Sequence, residues 1–101
     1  MNIIKDLKET EADIKLEGRL DTTSAPQLEK ELRSLFQEAA ELSLLTFDFG
    51  KLSYVSSAGL RMILTAQKEM KKRGKMIIKN VNEIIMDVFE MTGFADMLNI
   101  E

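Results

Sequence analysis

Cysteine and histidine are both missing from the chain. Without thiols there is no disulfide framework and no thiolate nucleophile, which suits a reducing compartment. Without imidazole there is no base for a Ser-His-Asp arrangement and no histidine ligand for zinc. A metal site would have to be built from carboxylates, and no spaced Asp cluster has the pattern of a calcium loop. Positive charge is not in excess: 14 basic and 17 acidic side chains leave a net charge of −3. No broad field therefore invites nucleic acid. No apolar run approaches the ~20 residues of a membrane span. The opening MNIIKDLKETEADIK turns charged too early for a signal peptide. The expectation is a soluble cytoplasmic protein with no metal, no cofactor and no catalytic residue of its own.

What is present is ordinary globular composition, 45% hydrophobic and 31% charged over 101 residues. That supports one core, hence one domain over residues 1–101. Ile3, Ile4 and Leu7 suggest a first strand, followed by a polar turn at KETEAD. Ile14, Leu16, Gly18 and Leu20 alternate with Lys15, Glu17 and Arg19, the period of a half-buried strand. The period then changes. Leu28, Leu32, Leu35, Phe36 and Ala39 share one face of a helix whose start carries Pro26 and a Ser24-x-x-Gln27 capping box. LSLLTFDFG reads as a central strand covered on both faces. Leu60, Ile63, Leu64, Gln67 and Met70 give a second helix, closed by the basic KKRG and Gly74. KMIIK is a short strand. Val81, Ile84, Ile85, Val88 and Phe89 make a third helix, capped by Asn80 or Asn82 and stopped by Gly93, with MLNI as a last short strand or turn. The seven methionines fall mostly on apolar helical positions and read as core filler. The order β-β-α-β-α-β-α predicts an α/β fold with a mixed, mostly parallel sheet and helices packed on it.

One stretch stands out chemically. YVSSAGLRM, residues 54–62, puts two serines, an alanine and a glycine where a buried strand gives way to a helix. In open α/β sheets function gathers beyond the carboxyl ends of strands. A helix start also offers four unpaired N–H groups and the positive end of the helix dipole. The turn is neither Gly-x-Ser-x-Gly nor Gly-x-x-x-x-Gly-Lys-Ser/Thr, which argues against a hydrolase nucleophile and a P-loop. Two readings stay open: Ser56 or Ser57 as helix cap, or one of them as a regulatory phosphoserine. A phosphate there would leave the fold intact while making the surface strongly negative.

FDFGKLSYVSSAGLRMIL resembles the signature of the STAS domain, as found in anti-sigma factor antagonists of bacterial partner-switching systems. GRLDTTSAPQLEKEL resembles the second-strand and first-helix segment of the same family. The resemblance implies the STAS fold and makes Ser57 the phosphoacceptor. The family often reads Asp-Ser-Ser/Thr-Gly; here Ser56 stands in place of the acid, which makes Ser56 a rival acceptor, and Ala58 in place of the second hydroxyl. It further implies a GHKL-type serine kinase that is also the anti-sigma factor and supplies the ATP site, and a PP2C-type phosphatase. The unphosphorylated antagonist would bind the kinase and free the sigma factor. The implied partner surface is Asp21, Thr22 and Thr23 with Ser56, Ser57, Ala58, Gly59 and Arg61. Asp21, Thr22 and Thr23 read equally well as caps of the first helix. Other readings are a phosphorylation-independent STAS interaction subunit of a signalling or transport complex, and a nucleotide-binding STAS protein.

Overall fold

The computed structural model describes residues 1–101. Strands β1 (Asn2–Lys8) and β2 (Glu11–Leu20) form a tight antiparallel hairpin, with Glu9 at the turn in the left-handed region (φ 53°). From β2 onward the strands run parallel, so each link needs a crossover helix. Helix α1 (Ala25–Glu38) leads to β3 (Leu44–Val55), α2 (Ser57–Lys71) to β4 (Lys75–Lys79), and α3 (Glu83–Met91) follows. The sheet order is β1-β2-β3-β4. The expected element order is the observed one. The terminal strand is reduced to one parallel bridge between Ile100 and Ile78, after a 3-10 turn at Phe94–Met97.

The strand order rises steadily from β2 to β4. Successive right-handed crossovers that step the same way across a sheet place their helices on the same side. All three helices accordingly cover one face. Ile14, Leu16, Leu45, Phe47, Phe49, Met76 and Ile78 are buried there beneath Leu28, Leu32 and Leu35 of α1, Ile63 and Met70 of α2, and Ile85 and Phe89 of α3. This corrects the expectation that β3 is covered on both faces. Leu45, Phe47 and Phe49 point to the helices, while Thr46 and Asp48 between them stand on an open face with Asp13, Lys15 and Lys79.

Two irregularities let β3 carry extra residues against β2. Lys15 pairs with Asp48 but Glu17 with Lys51, and Gly18 pairs with Leu52 but Arg19 with Tyr54. Gly18 does not alternate inward as its neighbours suggest; it is exposed at φ 104°, a conformation suited to glycine. The extra length carries β3 to Val55, opposite Leu20 at the end of β2.

Of the two candidate caps for α3, Asn82 does the work, accepting from the Ile85 N–H at 2.8 Å. Asn80 instead sits at φ 61° and donates to Asp48 Oδ1 at 2.9 Å. The methionines are only partly core filler. Met70 and Met76 are buried, whereas Met91 is 86% exposed. Gly74 ends α2 as expected, though not through a left-handed φ. Its Cα lies so close to Ser43 that a Cβ would overlap the Ser43 carbonyl, which accepts from the Lys75 N–H at 2.9 Å. Gly74→Ala should therefore destabilise the fold by about 1–3 kcal/mol, as overpacking against backbone does. Urea denaturation checks this, and an unchanged midpoint would overturn it.

Candidate docking site at the serine turn

The site is built where β2 and β3 end side by side. The Ser56 N–H donates to the Leu20 carbonyl at 2.9 Å, tying the turn after β3 to the end of β2. Ser56 itself is extended (φ −89°, ψ 175°), and its Oγ accepts from the Gly59 N–H at 3.2 Å. Ser56 is thus the N-cap of α2. Ser57 is the first helical residue, exposed, and its hydroxyl takes part in no hydrogen bond within the chain. The two adjacent serines divide the tasks, one turned back to the backbone and one to solvent.

Gly59 is buried rather than displayed. A Cβ there would come within 2.7 Å of Leu20 Cγ and 2.8 Å of Leu20 O. Its role is to let α2 approach the end of β2, so it supports the candidate site from beneath. Ala58 is half-buried, and Arg61, one turn beyond Ser57, is exposed and in no salt bridge. The first turn of α2 contains no acidic residue, leaving the positive end of its dipole without a compensating charge.

The facing turn is held by a capping box, three residues earlier than expected. Asp21 Oδ1 accepts from the N–H groups of Thr23 (3.0 Å) and Ser24 (3.1 Å), while Ser24 Oγ accepts from the Asp21 N–H at 2.9 Å. The Ser24 hydroxyl then donates to the Arg19 carbonyl at 2.7 Å. The Asp21 carbonyl accepts from the Ala25 N–H at 2.8 Å, closing the turn that leads into α1. The predicted Ser24-x-x-Gln27 box is absent because Ser24 is committed to this Asp21-x-x-Ser24 box. Asp21 therefore ties the turn before α1, whose N-cap position is Ser24 without a side-chain cap bond, and Thr22 and Thr23 stand exposed beside it. Thr22, Pro26, Ala58, Arg61 and Met62 line a shallow notch of about 150 Å³ between α1 and α2. The two segments singled out in sequence thus meet at one edge.

The Ser24 N–H aimed at the carboxylate is the main reason the Asp21 acid is held below its ordinary value. The Ser24 hydroxyl, the Thr23 N–H and the Arg19 charge add to it, against partial desolvation. Sequence reading missed Arg19 and Tyr54. The Arg19 guanidinium lies 4.3 Å from the centre of the Tyr54 ring and 3.7 Å from Asp21 Oδ2. Only the shifted register that pairs Arg19 with Tyr54 reveals the contact. The result is an exposed rim of hydroxyls, a cation and an aromatic ring, a surface suited to contact.

A family model described as STAS domain matches residues 4–101. The anti-sigma-B factor antagonist of Bacillus subtilis (strain 168) is 34% identical over 103 residues, spanning 99% of this chain and 92% of its own. The phosphorylated form of SpoIIAA, a Bacillus cell fate determinant, superposes with a TM-score of 0.76 at 21% identity, over 99% of this chain and 91% of that one. An anti-sigma factor antagonist from Mycobacterium paratuberculosis gives a TM-score of 0.86 at 14% identity, covering 98% and 83% of the two chains. The last two are likenesses of fold. No helix is long and apolar enough to cross a membrane.

The division between the serines is measurable. Ser56→Ala should cost about 1 kcal/mol of stability, the usual loss on removing an N-cap. Ser57→Ala should change stability by less than ~0.5 kcal/mol, as for an exposed side chain without partners. Equal losses in chemical denaturation would overturn the assignment. Asp21 supplies a pH test. Its folded acid is lowered, so its stabilising effect is complete above the unfolded carboxylate value of about 4 and is lost as pH falls through the folded one. Asp21→Asn should flatten the dependence of stability on pH below about 4, measured by urea denaturation across that range.

Proposed function

Because the chain belongs to the STAS domain family, we propose that it is an anti-sigma factor antagonist that phosphorylation of Ser57 switches off. In its unphosphorylated form it binds an anti-sigma factor that is also a GHKL-type serine kinase, and the sigma factor is released. The observation that carries this reading is the exposed Ser57 hydroxyl, free of any intramolecular bond, at the head of a helix already capped by Ser56.

The chain acts here as substrate and ligand, not as catalyst. The kinase brings ATP and the base; the γ-phosphoryl passes to Ser57 Oγ, the bond to ADP breaks, and the hydroxyl proton leaves to that base. A phosphate adds about −1.5 to −2 charges. Because the first turn of α2 is free of acid, the helix end favours the anion by roughly 0.3–1 kcal/mol. The fold survives and the surface changes. Ala58 and Arg61 follow Ser57 on α2 and share a notch with Thr22, so a partner docked on this edge meets a hydrated dianion where it had met a hydroxyl. Burying such a group without a matching cation is costly. A PP2C-type phosphatase restores the binding form. Such a cycle belongs in the cytoplasm, where ATP and sigma factors are found.

Relatives named anti-sigma-B factor antagonist support the reading. SpoIIAA, of the same fold, exists in phosphorylated and unphosphorylated forms, which supports the reading. After incubation with the cognate kinase and ATP, intact mass should show one added phosphate on the native chain and on Ser56→Ala, and none on Ser57→Ala. Ser57→Ala should bind the kinase persistently, and Ser57→Asp at least tenfold more weakly, a difference of about 1.4 kcal/mol. Equal affinities, or a phosphate carried by Ser56, would refute this assignment of the switch.

A further inference from the structure

We propose that the helix-free face of the sheet is a self-association surface. In this arrangement two copies stack face to face about a two-fold axis parallel to the strands, running between β2 and β3. The basis is the charge pattern that the register prints on that face. Across β2 and β3, Lys15 lies opposite Asp48, Glu17 opposite Lys51 and Asp13 opposite Thr46. A rotation about this axis keeps each residue at its own level along the strands and sets β2 of one copy over β3 of the other. Lys15 then meets Asp48 of the second copy, Glu17 meets Lys51, and Asp13 meets the Thr46 hydroxyl, each contact occurring twice. A crosswise axis through the Lys15–Asp48 row would instead set lysine over lysine and acid over acid. The pattern is complementary to itself in one orientation.

The central groups are available for this role, whereas Lys51 already pairs with Glu17 of its own chain at 3.7 Å and would exchange that partner for the one in the second copy. Lys15 and Lys79 form no salt bridge, and both flank Asp48. Asp48 is held in place by the Gly50 N–H at 2.8 Å and Asn80 Nδ2 at 2.9 Å. Two adjoining shallow clefts of about 450 and 440 Å³ share Ile4, Lys15 and Asp48, giving room for opposing side chains to interleave. Ile4, half exposed at 49%, would lie over the aliphatic stem of Lys79 in the second copy.

The size of the face sets the strength. Four strands about 4.8 Å apart and about seven residues long make a footprint of roughly 450 Å². That is below the ~800 Å² per partner of a stable interface. Exposed ion pairs contribute only about 0–1 kcal/mol each. A weak dimer that salt dissociates follows. The axis preserves strand direction, so both copies carry their Ser57 edges on the same side of the assembly, and neither edge is covered. The pair is a bivalent form of the docking surface.

Sedimentation velocity over a concentration and salt series tests this on the full chain. The native protein should pass from monomer to dimer as concentration rises, and return to monomer in high salt. Lys15→Asp and Asp48→Lys should each weaken self-association by roughly tenfold or more, because like charges then face each other. Mixed in equal amounts, the two variants should dimerise again, since each acid of the first variant then faces a lysine of the second. Should Asp48→Lys fail to fold for want of its Asn80 contact, Glu17→Lys mixed with Lys51→Glu repeats the design on the neighbouring pair. A native chain that stays monomeric at millimolar concentration, or single variants that associate like the native chain, would overturn the proposal. Kinase binding by the same variants reads the Ser57 edge separately.

Discussion

The contact on which the rest of the site depends is the approach of α2 to the end of β2. The Ser56 N–H reaches the Leu20 carbonyl at 2.9 Å, and the missing side chain of Gly59 leaves space for Leu20 beneath the helix. Leu20 is fully buried and immediately precedes Asp21, so any shift of α2 would be felt in the neighbouring capping box. The two turns are thereby registered against one another although they lie far apart in sequence. Their exposed residues, Thr22, Thr23, Ser57 and Arg61, form one edge only because this junction is tight.

That tightness also separates chemistry from support. Hydroxyls and carboxylates near the junction are mostly consumed by backbone: Ser56 by Gly59, Ser24 by Arg19 and Asp21, Asp21 by Thr23 and Ser24. Ser57 is left over. A side chain without internal duties can be modified without unfolding the turn, and such a group suits a switch better than a cap does. The sheet shows the same economy. One face is spent on the helices and a continuous apolar core, and the other keeps its charges in cross-strand pairs with no layer above them.

Much of this organisation could be read along the chain. Apolar spacing placed the three helices and four strands in order, but the turn read at KETEAD narrows to Glu9 and Thr10, with Glu11, Ala12 and Asp13 already in β2, and β3 runs on to Val55, past the apolar run that ends at Gly50. The basic last turn of α2 with Lys68 and Lys71 was visible. So were Pro26 in the first turn of α1 and the left-handed Gly93 after α3. These features are local, decided by residues within a turn or two of each other. The serine turn was conspicuous for the same reason, since small polar residues at a strand-to-helix junction have few uses.

What the chain alone left open was settled by contacts between distant segments. Ser56 became the cap because its neighbour Gly59 was pressed against Leu20; the pair Ser-Ser has no local preference that decides it. The capping box moved to Asp21 and Ser24 because Ser24 found the carbonyl of Arg19 at the end of β2. Arg19 met Tyr54 through a register shift that no periodicity announces. The apolar run of β3 looked buried on both sides until the strand order put every crossover on one face. Local sequence thus determined which elements form and in what order, because propensity and periodicity act over a few residues. The tertiary structure decided which of two equivalent groups is free, and which face is open, because those depend on what the rest of the chain brings alongside.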